Sequence, residues 1–158
     1  MPKNKYRRNV GIVLINDDRK IWVGDTILSK KGPGHGVYHY QMPQGGIEAG
    51  ETPLQAVLRE LYEETGLHPQ HIEVLRESAH WYRYDFPEWM MRYKNYKGQR
   101  QKWFLAHFVG GAKDFKLDIE KDHEFSDYAW FEGGKVVDCI IPFKKKVYQK
   151  VLKEFGLL

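Results

Sequence analysis

Apolar and polar positions fall into blocks along this chain, and the blocks predict most of its elements. The run NVGIVLI (9–15) is apolar at nearly every position and meets the turn-forming NDDRK, which predicts a buried strand. IWVG (21–24) reads as its hairpin partner, SKKGPGHG (29–36) as a glycine- and lysine-rich loop, and VYHYQMP (37–43) as a strand leading into Gly45-Gly46. HIEVLRESAHWYRYDF (71–86) predicts a long, bulged strand; KGQRQKWFLAHFVGG (97–111) predicts another and YAWFEGG (128–134) a shorter one. In PFKKKVYQKVLKEF (142–155), Val147, Val151 and Leu152 recur at helical spacing among lysines, which predicts an amphipathic helix. Strands, a helix, more strands and a final helix make an α/β arrangement, a mixed sheet covered by helices.

The helix between them follows from local rules. Thr52 is an N-cap with Pro53 at the first helical position, Gln55 three residues on completes a capping box, and Gly66 is placed to end the helix. The expected helix is 53–65, with Leu54, Val57, Leu58 and Leu61 as its buried stripe.

Composition adds bounds. The 158 residues suffice for one domain, taken here as 5–155, and the formal net charge of +4 suits a polyanionic partner. Cys139 is the only cysteine, which excludes an intrachain disulfide and a cysteine-rich zinc site. The seven histidines lack metal-site spacing. No stretch has the length or apolarity to span a bilayer, and the basic N-terminus lacks a signal-peptide pattern; a cytoplasmic protein is expected.

Against that basic background the acids of the helix stand out. At about 100° per residue, Glu60, Glu63 and Glu64 gather on a face beside the buried stripe, with Arg59 four residues before Glu63. An acidic helix face is ordinarily only solvated. Here it lies toward the helix C-terminus, where negative charge opposes the helix dipole, and it follows a Gly-Gly turn able to bring backbone N–H groups near an anion. Several hard carboxylate oxygens at short range suit Mg²⁺ or Mn²⁺, ions that also accept phosphate oxygens.

Gly45, Glu51 and the run RELYEETGL (59–67) resemble a complete Nudix box over residues 45–67, a highly specific pattern. YRRNVGIVLIN, YQMPQGGI, GQRQKWF, EFSDYAW and PFKKKVYQKVLKEF resemble, in order, segments of bacterial RNA pyrophosphohydrolases, a subfamily also called dinucleoside polyphosphate hydrolases. The resemblance implies a Nudix fold, an α/β/α sandwich around a mixed β-sheet. It implies conversion of the 5′-triphosphate end of RNA to a monophosphate, with release of pyrophosphate or of phosphates stepwise, initiating mRNA decay, with Mg²⁺ or Mn²⁺ and more than one ion. It makes Glu60, Glu63, Glu64 and Glu124 metal ligands. Glu63, Glu64 or Glu124 would be the general base and Arg59 the residue that orients the acids.

Gly45, Arg7, Lys102 and Lys144 then fall on the substrate side, with Phe143 and Tyr82 as stacking or lining candidates, and the three cations are expected to converge on one phosphate pocket. Where relatives carry paired arginines after the second strand this chain has Asp25, and Lys30 and Lys31 are candidates to supply that charge. Tyr40 stands in place of a usual tryptophan. In 89–103, Arg92, Lys94, Lys97, Arg100 and Lys102 interleave with Trp89, Tyr93, Tyr96 and Trp103, a mix suited to single-stranded RNA or to a solvated connection with inward rings. The competing functions are hydrolysis of dinucleoside polyphosphates or free (d)NTPs, and a module that binds nucleotides or RNA ends without cleaving them.

Overall fold

The computed structural model describes residues 5–158. Its centre is β1 (Tyr6–Ile15), which runs parallel to β7 (Gly98–Phe108) in register from Tyr6 opposite Gly98 to Ile15 opposite His107. On its other edge β1 pairs antiparallel with β2 (Ile21–Asp25) and with the short β4 (Gln44–Gly46). Beyond β2 lie β3 (Tyr40–Gln41) and β8 (Asp127–Phe131); β5 (Ile72–Glu77) and β6 (Tyr82–Asp85) both pair with β7. The result is a mixed sheet of eight strands.

Alternation along β1 divides the core in two. Val10, Ile12 and Leu14 meet Val57 and Leu61 of α1 (Pro53–Thr65) on one face. Val13 and Ile15 meet Val136, Val147 and Val151 on the other, carried by α3 (Gly133–Cys139) and α4 (Lys145–Glu154). Helices cover both faces, as the α/β/α expectation required. α2 (Glu88–Met91) is a single turn in the β6–β7 connection.

The expected ends of α1 are present. Thr52 Oγ1 accepts from Gln55 N at 3.1 Å, Gln55 Oε1 accepts from Thr52 N at 2.9 Å, and Gly66 closes the helix with φ at 78°. Its stripe is shifted, however. Leu54 is 41% exposed, while Ala56 and Thr65 are buried, so the buried face is turned about the helix axis from the expected one. The strand expected over 71–86 breaks in two, with a register shift between Val74 and Arg76. Of 37–43 only Tyr40–Gln41 pairs, and α3 had no sequence signal beyond a short apolar run.

Candidate active site

The acids of α1 lie against β4 because β4 has no side chains there. A Cβ on Gly45 would collide with the Glu60 carboxyl, and a Cβ on Gly46 would collide with the Arg7 guanidinium. Gly45 pairs with Val10 and Gly46 with Asn9, so the two contacts fall on opposite faces of the sheet. One glycine admits the acidic helix and the other admits a basic side chain.

Arg59 organises the acids. Its Nε and Nη2 donate to both oxygens of Glu51 at 2.8 and 2.9 Å, Nη2 also donates to the Gly46 carbonyl at 2.9 Å, and Nη1 reaches Glu60 at 2.9 Å and Glu63 at 3.3 Å. Glu51 is held ionised: the hydrogen bond from Arg59 and that from the Glu48 backbone lower its pKa to about 2. Glu60 behaves oppositely. Burial raises its pKa to about 7 despite Arg59, with the charges of Glu63 and Glu120 adding to the rise.

Glu64 is the most enclosed of the set, and its Oε2 is buried without a partner. Desolvation, then the charges of Glu60 and Glu124, raises its pKa well above the carboxylate range. Glu124, from the loop before β8, accepts from Lys30 Nζ at 2.8 Å and Gln41 Nε2 at 3.0 Å. Among the described residues no three His, Cys, Asp or Glu side chains stand close enough to hold a metal ion as they are. The Arg59 guanidinium neutralises Glu60 and Glu63 instead. The donor set still fits a hard divalent cation: crowded carboxylates gain from one, and the orphaned oxygen of Glu64 is an acceptor awaiting a positive partner.

Beside these acids opens a cavity of about 140 Å³, lined among others by Lys30, Lys31, Gln44, Tyr84, Phe143 and Lys144. Lys144 is 6% exposed and rests near the rings of Tyr84 and Phe143, at 5.8 and 5.9 Å. Its pKa is well below the usual lysine value, through burial first and then the charge of Lys30. Phe143 and Lys144, expected on the substrate side, both line this cavity, together with Tyr84, Gln41, Gln44 and Gln99, which the sequence did not single out. Gln99 and Gln101 carried a faint signal, since polar residues at alternate positions of a central strand are unusual.

Three expected members lie elsewhere. Arg7 pairs with Gln99 and sits over Gly46 but is not among the residues that line the cavity, and Lys102 joins neither Arg7 nor Lys144. It pairs with Val10 on the α1 face, contacts Glu77 at 3.8 Å, and lies 5.7 Å from the Trp81 ring. Tyr82 shares the cavity's face of the sheet, but its hydroxyl bonds to Glu154 and it packs into the core. In the 89–103 stretch, Trp89 and Lys94 line the cavity and Trp103 is fully buried, donating to Gln101 at 3.1 Å. Asp25 is taken up by His39 at 2.8 Å.

The NUDIX domain family matches residues 5–151. The chain is 40% identical to the RNA pyrophosphohydrolase of Bartonella henselae over 157 residues, covering 95% of this chain and 90% of that protein. It is also 40% identical to the RNA pyrophosphohydrolase of Zymomonas mobilis over 159 residues, covering 99% and 98%. Among solved structures, C. elegans Ap4A hydrolase in a binary complex superposes with a TM-score of 0.66 at 18% identity, covering 95% of this chain and 98% of that one. E. coli dihydroneopterin triphosphate pyrophosphohydrolase superposes at 0.68 with 13% identity, covering 93% and 97%. These two share the fold. With an acid-bearing helix seated on a Gly-Gly strand and a family match over nearly its whole length, the chain belongs to the NUDIX domain family.

Proposed function

We propose that this protein hydrolyses the 5′-triphosphate end of RNA, releasing pyrophosphate and leaving a 5′-monophosphate. The observation that carries the reading is Glu64, buried with an unpartnered oxygen among acids whose burial opposes their charge, next to a cavity holding cations. Structure at that spot is costly unless a cation and a polyphosphate complete it. The two relatives at 40% identity, both named RNA pyrophosphohydrolase, supply the substrate.

Glu60, Glu63, Glu64 and Glu124 would hold Mg²⁺ or Mn²⁺. When bound, such ions offset charge on phosphoryl oxygens and make water a better nucleophile. The remaining chemistry belongs to the chain. Arg59 aims Glu60 and Glu63 through its grip on Glu51. Lys144 and Lys30, on the cavity wall, meet phosphate oxygens, and Arg7 lies beyond Gly46 to hold the 5′ nucleotide side. The attacking water loses its proton to Glu63, Glu64 or Glu124, its oxygen bonds to phosphorus, and the bond to the departing pyrophosphate breaks. Phe143 and Tyr84 offer rings against which a base can lie. Such a reaction in the cytoplasm would commit messenger RNA to decay.

Incubation with Mg²⁺ and 5′-triphosphate RNA, diadenosine tetraphosphate and GTP in parallel tests the proposal. The RNA is expected to have the highest kcat/KM, and pyrophosphate to appear with 5′-monophosphate RNA. Preferential turnover of either free nucleotide would reassign the substrate, and binding without turnover of any of them would leave a recognition module.

A further inference from the structure

Across the α1 face of the sheet runs a line of like charges. Arg8 in β1 stands directly opposite Arg100 in β7, and Arg100 stands directly opposite Arg83 in β6. Cross-strand partners share a face, so three exposed arginines form one row over three strands. Like charges placed opposite one another destabilise a sheet. Among the described residues none of the three has a carboxylate partner; the nearby acids are engaged by lysines, Glu77 with Lys102 and Asp85 with Lys97, each at 3.8 Å.

Two aromatic rings flank this row. Trp81 lies under Arg100 at 4.6 Å, Arg8 at 5.4 Å and Lys102 at 5.7 Å. Tyr6 lies under Arg83 at 5.3 Å and Lys97 at 5.6 Å, with its hydroxyl donating to Asp85 at 2.5 Å. Rings hold the guanidinium groups in place, so their N–H donors are preorganised for an anion.

The row also begins beside the acids. Val10, two residues along β1 from Arg8 and on its face, pairs with Gly45, over which Glu60 sits. A polyanion leaving the acidic site along this face meets Arg8 first, then Arg100, then Arg83.

We infer that this row is a second binding surface, which takes the backbone of single-stranded RNA downstream of the 5′ end. The inference rests on the RNA reading proposed above, and it gives that reading a physical basis for preferring RNA to free nucleotides. Regularly spaced cations suit successive phosphates, and the partly exposed rings of Trp81 and Tyr6 suit unstacked bases.

The test uses the intact protein and the variants R83Q/R100Q and W81L. Fluorescence anisotropy with a labelled, 5′-hydroxyl single-stranded RNA of about 15 nucleotides, without metal, reads the surface alone. R83Q/R100Q is expected to bind about 10-fold more weakly, and its log Kd against log salt slope to fall by about 1.4, near 0.7 per lost phosphate contact. W81L is expected to weaken binding with little change in that slope. In the hydrolysis arm, R83Q/R100Q should turn over a 5′-triphosphorylated dinucleotide at the wild-type kcat/KM while losing activity on the long RNA. Its Tm should not fall, since opposed charges have been removed. Unchanged anisotropy, equal loss on short and long RNA, or binding to phosphatidylserine vesicles in place of RNA would overturn the inference. A wild type that binds the RNA in the anisotropy arm yet hydrolyses no triphosphorylated RNA would instead defeat the proposed function.

Discussion

Arg59 holds Glu51 through two parallel hydrogen bonds, at 2.8 and 2.9 Å, eight residues back along the chain. That fork fixes the guanidinium so that its remaining N–H groups point at Glu60 and Glu63. A lysine has the charge but not the fork. Arg59→Lys should therefore keep the fold and lower kcat by about 10²-fold, the scale of misplaced catalytic groups. Steady-state kinetics with a Tm measurement checks this; wild-type kcat in Arg59→Lys would remove Arg59 from the positioning role.

Glu64→Gln separates chemistry from folding. The buried carboxyl resists ionisation, so its loss should leave the metal-free Tm unchanged or higher. Turnover should nonetheless drop by at least about 10²-fold if a cation binds here. A fall in Tm with turnover intact would make Glu64 a structural residue.

The pH dependence of metal-free stability has a definite sign. Glu60 titrates near 7 in the folded protein, against 4.5 for an ordinary glutamate, so the folded state holds the extra proton between those values. Stability should decline as pH rises from about 4.5 to 7 on this account. Glu51 acts in the other window: its lowered pKa contributes stability above 4.5 that is lost as pH falls toward about 2. Thermal melts in EDTA from pH 4 to 8, on wild type and Glu60→Gln, read the upper slope, which Glu60→Gln should flatten. Mg²⁺ should raise the wild-type Tm more at pH 8 than at pH 6.

The two glycines of β4 predict different failures. Gly45→Ala forces the Glu60 carboxyl away and should cost Mg²⁺ affinity and kcat. Gly46→Ala displaces Arg7 instead and should raise KM for RNA with Mg²⁺ affinity retained. Isothermal titration with Mg²⁺ beside kinetics distinguishes them, and identical behaviour of the two would refute the division of the site between the faces of the sheet.

Lys144 and Lys102 give a further contrast. Lys144→Met removes a buried amine from the cavity wall and should lower kcat/KM on every polyphosphate while raising or preserving Tm. Lys102→Met should leave the dinucleotide substrate unaffected, because Lys102 lies on the other face.

What was legible in the sequence was what local rules determine. Thr52, Pro53, Gln55 and Gly66 fix where α1 begins and ends, and helical spacing alone puts Glu60, Glu63 and Glu64 together. What was not legible depended on pairing between distant segments. Lys102 looked like a phosphate ligand by its place in GQRQKWF, but its face is set by the parallel register with β1, some ninety residues earlier. Tyr82 is drawn to Glu154 by α4, a contact 72 residues apart. Lys144 is assigned to the substrate side by resemblance alone, since periodicity only puts it at the start of a lysine-rich amphipathic helix; a turn at Pro142 brings it inward against Tyr84 and Phe143. The stripe of α1 shifted for a similar reason, since spacing gives an approximate face but not the angle about the helix axis at which the sheet meets it.

The β1–β7 ladder has a consequence for how the protein is made. β1 is made before its longest partner, which follows roughly ninety residues later, as the 92-residue separation of Asn9 and Gln101 marks. At about 5–20 residues per second, the nascent VGIVLI segment waits roughly 5–20 s with strand pairing only to β2 and to β4. During that interval it is an apolar strand with an open edge, the kind that pairs with other chains. Newly made protein should accordingly be most prone to aggregate before Phe108 emerges, and chains truncated ahead of β7 should depend on chaperones that the finished domain no longer needs.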